Sequence, residues 1–284
     1  MALVTLKYVL QRAVKEKYVV GAFNFFGMEN AQGIIKGAAN KKSPVIVMAA
    51  AAVMSHLGEK AVIGMVKGMA DDYGVTAVMF LDHSQDYDLC RRCIDNGFGG
   101  VMIDASSKEF NENIDITGRV VEYAAKTGCS VEAELGHVGG REDNITVDER
   151  TALFTKPEDV AKFVVATNID ALAVAVGNIH GFYKSEPKLD FDRIAKIRSL
   201  SPIPLVLHGG TGIPDADLRK AAALGINKIN VGTELKINGY LKVMQKECTN
   251  EANDAPQKVM AHVRDAITAI VEEKIQVFGC AGKA

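Results

Sequence analysis

Three of the six histidines occupy equivalent places in this chain: His83, His180 and His208 each stand at or just after the end of a short apolar run. Imidazole nitrogens are common ligands of zinc and other divalent transition metals, and a site with three protein ligands leaves a position open for a substrate. A single histidine among apolar residues is more often a packing residue, but three at matching positions favour a shared metal site. The other three lack this placement and are expected to be surface or packing residues: His56, His137 and His262.

Two glutamates in another apolar run share one face. Glu132 and Glu134 are two residues apart, so both side chains point to the same side of a strand. A buried carboxylate without a partner is costly, so a metal or a hydrogen-bond network must accompany them. Asp104, which ends the preceding apolar run, could join Glu134 around an alternative metal position. An internal polar network without a metal is the competing interpretation.

Glycine-rich segments follow two further apolar runs, at residues 208–212 and 230–233. Glycine lets the backbone approach a ligand closely, and the exposed N–H groups can then hold a phosphate. Lys184 stands four residues after His180 and could add positive charge there. The segment 136–144 mixes glycines with charged residues, as a catalytic lid does, and Glu142 would be its acid or base; a solvated polar loop is the alternative.

These residues require a scaffold that brings many strand ends together. Eight apolar runs are predicted strands, at residues 19–23, 44–48, 76–81, 100–103, 130–135, 171–176, 205–207 and 228–231. Stretches with helical spacing lie between them, at residues 28–42, 60–73, 86–96, 110–128, 156–167, 190–200 and 214–224. This alternation predicts parallel strands with right-handed crossovers, and eight repeats favour an α/β fold of the (β/α)₈ TIM-barrel type. The polar residues then lie at the carboxyl ends of strands, where such barrels carry their chemistry.

One barrel accounts for the whole chain, residues 1–284, as a single domain. Such barrels need about 250 residues, and no linker or low-complexity run divides the sequence. An N-terminal helix at 4–17 precedes the first strand and a C-terminal helical tail at 257–278 follows the eighth; either could cover the barrel or serve an oligomer. Thr155 is a predicted N-cap, because a Lys-Pro-Glu helix start follows it.

The composition excludes several classes of function. The chain is 48% hydrophobic and 24% charged with a net charge of −2, so it offers no basic field for nucleic acid. No apolar stretch reaches the roughly 20 residues that span a bilayer, and no signal-peptide pattern opens the sequence, so we expect a cytoplasmic protein without membrane partners. The five cysteines lack disulfide or zinc-site spacing and are expected to be reduced; a redox role for Cys90 and Cys93 is the weaker alternative.

Nine motifs stand in order along the chain, at residues 21–24, 81–83, 101–106, 130–136, 139–140, 142–143, 205–210, 228–231 and 279–284. In this order they resemble the class II, metal-dependent fructose-bisphosphate and tagatose-bisphosphate aldolases. The likeness runs from Leu3 to Lys283. The shorter, tagatose-bisphosphate-like branch resembles this chain most in length and in the sequence of these motifs.

The resemblance implies reversible cleavage of a ketose 1,6-bisphosphate, of tagatose or fructose type, into dihydroxyacetone phosphate and glyceraldehyde 3-phosphate. It implies a catalytic Zn²⁺ on the histidine triad and a second metal position lined by Asp104 and Glu134. Asp82 would exchange a proton with the C4 hydroxyl, Glu142 would exchange one at C3, and Asn230 would hold the substrate near its carbonyl. The other implied substrate contacts are Gly181, Lys184, Gly209, Gly210, Thr211, Val231, Gly232, Thr233 and Lys274. A monovalent cation, Na⁺ or K⁺, and a homodimer or homotetramer are implied as well.

The implied chemistry explains the residue types. Breaking the C3–C4 bond leaves negative charge on the former ketone, which zinc stabilises as a Lewis acid while Asp82 removes the C4 hydroxyl proton. A Schiff-base lysine is the metal-free alternative and needs an amine within the barrel. The predicted sixth strand has none, and Lys228 is expected at the wrong end of the eighth.

The chain departs from the resembled family at the far end of the substrate. Ala50 stands where the family commonly has Ser or Thr, and Lys274 where it has Arg, both associated with the distal phosphate. Alanine cannot donate a hydrogen bond, and lysine lacks the planar fork that grips a phosphate. Either Lys274 suffices for a bisphosphate, or the substrate is a ketose 1-phosphate. Two other readings are a metal-dependent sugar-phosphate epimerase or isomerase, and a non-catalytic sugar-phosphate-binding subunit or regulator.

Overall fold

Eight parallel strands close into a barrel in the computed structural model, which describes residues 3–142, 145–147, 153–183 and 185–284. In chain order the elements are α1 (Leu6–Glu16), β1 (Val20–Asn24), α2 (Met28–Asn40), β2 (Val45–Ala50), α3 (Ala51–Leu57), α4 (Glu59–Tyr73), β3 (Ala77–Ser84), α5 (Tyr87–Asp95), β4 (Gly100–Ile103), α6 (Phe110–Ala124), β5 (Ser130–Leu135), β6 (Gly139–Glu142), β7 (Ile145–Val147), α7 (Pro157–Thr167), β8 (Ala171–Val174), β9 (Ile179–His180), α8 (Phe191–Leu200), β10 (Leu205–Leu207), α9 (Asp215–Ala223), β11 (Ile226–Val231), a π-helical segment (Leu235–Leu241), α10 (Lys242–Cys248) and α11 (Pro256–Val277).

The barrel strands follow one another around the wall in the order β1-β11-β10-β8-β5-β4-β3-β2, and β2 pairs with β1 to close it. All of these pairs are parallel. The strands are buried almost throughout, because helices cover them outside and side chains fill the interior. Each predicted apolar run coincides with one barrel strand, so the predicted TIM barrel is confirmed.

Helix α1 covers the amino-terminal end of the barrel. Val4 donates its N–H to the carbonyl of Ala77 and Leu6 donates to Gly99, both at 2.9 Å. A side chain at Gly99 would collide with the Val4 carbonyl, so glycine allows this close approach. The predicted N-terminal helix therefore lies on the face opposite the strand ends that carry the chemistry.

Helix α11 packs along α2 in the outer layer. A Cβ at Gly33 would lie 2.8 Å from Cβ of Ile267, and one at Gly37 would lie 2.9 Å from Cγ1 of Val271. Ile267 and Val271 are fully buried. The two glycines bring the helix axes close together, so the predicted C-terminal tail is an integral part of the barrel's covering.

Thr155 is not the N-cap of α7, as the sequence predicts; Lys156 occupies that position. The Thr155 hydroxyl instead donates to the Leu135 carbonyl and accepts from the N–H of Ala175 at 2.8 Å. Pro157 opens the helix without an N–H group, which reduces the need for a cap. The buried hydroxyl therefore joins the ends of β5 and β8.

The cysteines are free, and four of the five are buried. Burial raises the pKa of the Cys90 thiol to about 12 and also raises that of Cys93. A thiol that stays protonated is a poor nucleophile, which supports packing over redox chemistry for this pair. No helix within the described residues has the length and apolar character needed to cross a membrane.

Candidate active site

A β-bulge near the carboxyl end of β3 turns two consecutive side chains into the barrel mouth. The register between β3 and β4 shifts between Leu81 and Ser84, which leaves Asp82 and His83 outside the regular ladder with β4. His83 has a φ of 42°, in the left-handed region that non-glycine residues rarely adopt. Neighbours on a regular strand point to opposite faces, so this irregularity is what lets both residues reach one site.

The three predicted metal ligands converge. His83 lies on β3, His180 on the short strand β9, and His208 directly after β10. The ring centroid of His83 lies 4.9 Å from that of His180 and 4.5 Å from that of His208. The centroids of His180 and His208 are 5.7 Å apart. One nitrogen from each ring lies within 4.8 Å of the other two. His208 is fully buried and the others are partly exposed, so the triad opens toward the mouth of the barrel.

Carboxylates orient two of these rings. Asp104 Oδ2 lies 2.8 Å from His83 Nδ1, and Glu132 Oε1 lies 3.1 Å from His208 Nε2. Ionised carboxylates only accept hydrogen bonds, so these two nitrogens carry the protons and leave lone pairs on His83 Nε2 and His208 Nδ1. Burial acts to raise the pKa of Asp104, but His83 and the hydrogen bonds from Ser106 outweigh it and hold that pKa below its ordinary value.

The donor set fits a divalent transition metal. His208 Nδ1 is buried and has no hydrogen-bond partner among the described residues, although Glu134 Oε2 lies 3.3 Å away in an unsuitable direction. A buried lone pair facing a buried carboxylate is costly unless a cation satisfies both. Three imidazole nitrogens with an open position suit zinc. His83, Asp104 and Glu134 form a second group with ligand atoms within 4.8 Å, at the predicted alternative position.

Asp82 is fully buried beside the triad and is held by two amides. Asn24 Nδ2 donates to Oδ2 of Asp82 at 2.8 Å, and Asn230 Nδ2 donates to Oδ1 at 3.3 Å. Asn24 ends β1 and Asn230 lies near the end of β11. The two donors fix the orientation of the carboxylate, which proton transfer at one substrate atom requires.

The sequence places Lys228 at the wrong end of the eighth strand for catalysis, and the structure shows that its side chain nevertheless reaches polar residues beneath the site. Its side chain is fully buried inside the barrel, and Nζ lies 3.0 Å from the Glu132 carboxylate and 2.8 Å from Asn230 Oδ1. The long aliphatic stem carries the ammonium group along the barrel from a backbone position below the mouth. The charge of Lys228 and the hydrogen bond from His208 hold the pKa of Glu132 below its ordinary value, although burial acts to raise it. These contacts commit the amine to an ion pair, and they do not support a Schiff-base role.

The predicted phosphate contacts gather at the carboxyl ends of β10 and β11. Gly210 donates its N–H to the Asn230 carbonyl at 2.9 Å, and Glu234 donates its N–H to Thr211 Oγ1 at 3.2 Å. Helical structure begins at Thr233, so the N-terminal end of a helical segment lies at this end of the barrel. Gly209 lies just after β10, Val231 and Gly232 lie at the end of β11, and Gly181 directly follows β9.

Glycine allows close approach at two of these places. Gly209 has a φ of 64°, and a Cβ there would collide with the Ile179 carbonyl. A Cβ at Gly232 would lie 2.6 Å from Oδ1 of Asn24. Both glycines therefore allow neighbouring strand ends to meet closely around the mouth of the barrel.

The segment predicted as a lid, residues 136–144, contains strand β6. This strand pairs antiparallel with β7, which follows the segment, and parallel with β9, where Gly140 stands opposite His180. Glu142 ends β6 opposite Ile145. Asp143, Asn144 and Lys184 lie outside the described residues. The proton-exchange role of Glu142 and the phosphate role of Lys184 stay predictions.

The two departures at the distal end of the substrate lie on different elements. Ala50 ends β2 directly opposite Asp82 in the ladder. Lys274 lies on α11 with 7% of its surface exposed, and its Nζ is 3.4 Å from Glu234 and 3.3 Å from Glu273. Burial acts to lower the pKa of Lys274, but these carboxylates raise it above its ordinary value. The ammonium group is thus engaged by acidic partners within the same chain.

Comparison with known proteins identifies the family. The family model described as "Fructose-bisphosphate aldolase class-II" matches residues 4–283. A fructose-bisphosphate aldolase of Geobacillus stearothermophilus is 44% identical over 288 residues, which cover 100% of this chain and 99% of the relative. The chain belongs to the class II fructose-bisphosphate aldolase family.

Two further aldolases are similar over the full chain. A fructose-bisphosphate aldolase of Staphylococcus epidermidis is 40% identical over 289 residues and covers 100% of both chains. The crystal structure of the YdjI aldolase from Escherichia coli K12 superposes with a TM-score of 0.87 at 33% identity and covers 99% of each chain. The predicted fold and the predicted aldolase class of lyase are therefore confirmed. The tagatose-type branch stays a prediction, because the two relatives are named for fructose bisphosphate.

Class II aldolases depend on zinc, and the histidine triad is the candidate site for it in this member. The sequence analysis assigns no role in the site to several polar side chains around that triad: Asn24, Ser106, His137, Asn178, Tyr183 and Lys228. Asn178 and Tyr183 brace the strand ends, since Asn178 Nδ2 donates to the His208 carbonyl at 3.1 Å and the Tyr183 hydroxyl donates to the Gly209 carbonyl at 3.3 Å. A signal for Lys228 was present, because it is two residues from Asn230 and shares its face of the strand.

Proposed function

We propose that this class II aldolase reversibly cleaves a ketose 1,6-bisphosphate into dihydroxyacetone phosphate and glyceraldehyde 3-phosphate. The convergence of the histidine triad on the buried carboxylate of Asp82 carries this proposal. A metal site and an oriented proton acceptor at one strand end are the two components that carbon–carbon cleavage beside a carbonyl needs. The names of the full-length relatives support a bisphosphate substrate.

We assign roles to the residues as follows. His83, His180 and His208 would hold zinc, which supplies Lewis-acid stabilisation of the charge that develops on the ketone oxygen. Asp82 takes the proton of the C4 hydroxyl as the C3–C4 bond breaks and returns it during condensation. Glu142 exchanges the proton at C3, and Asn230 orients the substrate near its carbonyl while it also holds Asp82.

The glycine-rich ends of β10 and β11 would bind the C1 phosphate through backbone N–H groups. The proposed contacts are Gly181, Lys184, Gly209, Gly210, Thr211, Val231, Gly232 and Thr233, with Lys274 toward the distal end. Asp104 and Glu134 would line a second metal position, and a monovalent cation would bind near the phosphate. The homodimer or homotetramer and the cytoplasmic location are further predictions from the sequence.

The test is a coupled assay for triose phosphate release from fructose and tagatose 1,6-bisphosphates, before and after metal removal. We expect turnover that chelation abolishes and added zinc restores. His208→Ala should lose both zinc and activity, because this ring is the buried ligand of the triad. Full activity in metal-free protein, or normal zinc content and rate in His208→Ala, would contradict the proposal. An absence of turnover with sugar-phosphate binding retained would favour the regulator, and interconversion of sugar phosphates would favour the isomerase.

A second candidate substrate is a ketose 1-phosphate without a distal phosphate. Two observations favour it: Ala50 offers no hydroxyl, and the Lys274 ammonium is engaged by Glu234 and Glu273. A lost charge-assisted hydrogen bond is worth roughly 1.5–3 kcal/mol, or about one to two decades in kcat/KM. If the substrate is a 1-phosphate, kcat/KM for the 1-phosphates should approach that for the 1,6-bisphosphates. The variant Ala50→Ser should shift the ratio toward the bisphosphates, while a preference of about a hundredfold for bisphosphate in the wild type would exclude this candidate.

A further inference from the structure

A chain of hydrogen bonds connects the candidate metal ligand His83 to a histidine outside the triad. Asp104 Oδ2 lies 2.8 Å from His83 Nδ1, and Asp104 Oδ1 accepts from Ser106 Oγ at 2.6 Å. Ser106 Oγ also lies 2.8 Å from Nδ1 of His137. Asp104 and Ser106 are each 8% exposed, so water competes little for these bonds. The sequence predicts His137 to be a surface or packing residue, but its side chain is connected to the candidate metal site.

The chemistry of the four groups fixes the direction of each hydrogen bond. The Asp104 carboxylate only accepts, so Ser106 must give its single hydroxyl proton to Oδ1. The Ser106 oxygen then has lone pairs alone to offer His137, so His137 Nδ1 carries a proton and donates it. At the other end of the chain His83 Nδ1 donates to Oδ2, which leaves Nε2 of that ring as the metal-binding atom.

The same histidine stands at the base of the hairpin formed by β6 and β7. Its backbone bridges to Leu153 in both directions, with N–H to carbonyl distances of 2.8 and 3.1 Å. The next residue, Val138, donates its N–H to Glu134 Oε1 at 3.0 Å, and Gly140 pairs with His180. The base of the hairpin is thus bonded to the metal site by three routes, and one of them is the side chain of His137.

We propose that Ser106 and His137 are positioning residues, which orient the Asp104 carboxylate toward His83 and hold the base of the β6–β7 hairpin against the metal site. The inference rests on the proposed zinc-binding role of His83. Ser106 restrains Oδ1 and so keeps Oδ2 directed at the imidazole, which the free terminal torsion of an aspartate would not do. His137 restrains Ser106 and joins it to the strand that ends in Glu142.

The two residues should have separable effects. Loss of an outer hydrogen-bond partner commonly weakens metal binding about 10- to 100-fold, so Ser106→Ala should bind zinc at least about tenfold more weakly. Ser106→Thr keeps the hydroxyl and should stay within about threefold of the wild type. His137→Ala keeps the bond from Ser106 to Asp104, so zinc affinity should change by less than about threefold while C3 proton exchange slows by about tenfold or more. The amide of His137→Asn can donate from the place of Nδ1 and should restore most of that exchange.

Two measurements test the proposal. The zinc dissociation constant is measured by competition with a chromophoric chelator in the absence of substrate, and exchange of the C3 proton of dihydroxyacetone phosphate with solvent is followed by NMR. His262→Ala, at a half-exposed position on α11, is the control and should match the wild type in both. Thermal unfolding confirms that each variant is folded. Wild-type zinc affinity in Ser106→Ala, equal weakening in Ser106→Thr, or wild-type exchange in His137→Ala would overturn the proposal.

The experiments distinguish a failure of this inference from a failure of the proposed function. The zinc comparison needs no turnover, so it tests Ser106 even with a substrate other than the one proposed. A wild-type protein that binds zinc on the triad but cleaves no ketose phosphate would contradict the proposed function and leave the zinc result standing. A wild-type protein that shows turnover with an unaffected Ser106→Ala would contradict only this inference.

Discussion

The site is built from residues whose roles depend on their neighbours more than on their type. His83 reaches the triad because a bulge and a left-handed backbone turn it toward the site, and Asp104 then selects which of its nitrogens carries the proton. Glu132 orients His208 in the same way through a hydrogen bond to Nε2 of that ring. His83 and His208 therefore each enter the site in one tautomer, which lowers the cost of ordering these ligands when a metal binds.

Asp82 offers a test of the division between metal binding and proton transfer. It does not belong to either group of candidate ligands, and two asparagine amides hold it. Asp82→Ala should reduce the rate of carbon–carbon cleavage by about 10²- to 10⁴-fold, as expected for loss of a general base, while zinc content stays unchanged. Elemental analysis and the triose phosphate assay measure the two quantities. Cleavage near the wild-type rate would show that another group takes the C4 hydroxyl proton.

Lys228 offers a second test at the level of one residue. Removing its ammonium leaves the Glu132 carboxylate buried without its counter-ion, so Lys228→Met should lower the free energy of unfolding by about 3–5 kcal/mol. The double variant Lys228→Met/Glu132→Gln removes both charges and should recover much of that loss. Urea unfolding monitored by circular dichroism measures both effects. A loss below about 1 kcal/mol in the single variant would show that water enters the barrel and screens Glu132.

At the scale of elements, the hydrophobic pattern predicts the strands well and their ends poorly. Eight apolar runs were sufficient to find eight barrel strands, because parallel strands buried on both faces are continuous apolar segments. The bulge at residues 82–83 left no trace in hydropathy, because it is a one-residue change of register. Thr155 resembles an N-cap locally, and its bonds to Leu135 and Ala175 depend on strand contacts that no local pattern contains. Short helices after strand ends, such as α3, were missed for the same reason.

The connection after β10 gives a prediction about one such strand end. Gly209 and Gly74 both have a φ of 64°, but a Cβ at Gly209 meets the Ile179 carbonyl while one at Gly74 meets no atom within 4 Å. Gly74→Ala should therefore cost only the backbone strain of about 1–2 kcal/mol. Gly209→Ala should cost clearly more and also raise KM for the phosphorylated substrate, because the strand ends must separate. Unfolding and steady-state kinetics of the two variants provide the comparison, and equal losses in both would contradict the steric argument.

At the scale of the whole molecule, the candidate site and the segments that cover the barrel, α1 and the C-terminal residues, lie at opposite ends of the barrel. The candidate site lies at the carboxyl ends of the strands, whereas α1 covers the amino ends. Residues 282–284 return to this closed end, where Gly282 donates to the Lys41 carbonyl at 2.9 Å and Arg12 Nη1 donates to the Lys283 carbonyl at 2.7 Å. Substitutions there should change stability without changing the substrate site.

The ion pairs that hold the tail on α1 make this stability depend on pH. Hydrogen bonds from Lys283 and then from Arg12 lower the pKa of the exposed Glu16 carboxylate from 4.5 to about 2. Because the folded-state pKa is lowered, the contribution is complete above pH 4.5 and is lost as pH falls from there toward 2. Glu16→Gln should lower Tm at neutral pH, and its difference from the wild type should shrink through this acid range and also at high salt, since exposed pairs are screened. Thermal unfolding of both proteins between neutral pH and about pH 3, with the exposed Glu251→Gln as control, measures the effect. A difference that stays constant across this range would assign the stabilisation to packing of the tail, not to the charge of Glu16.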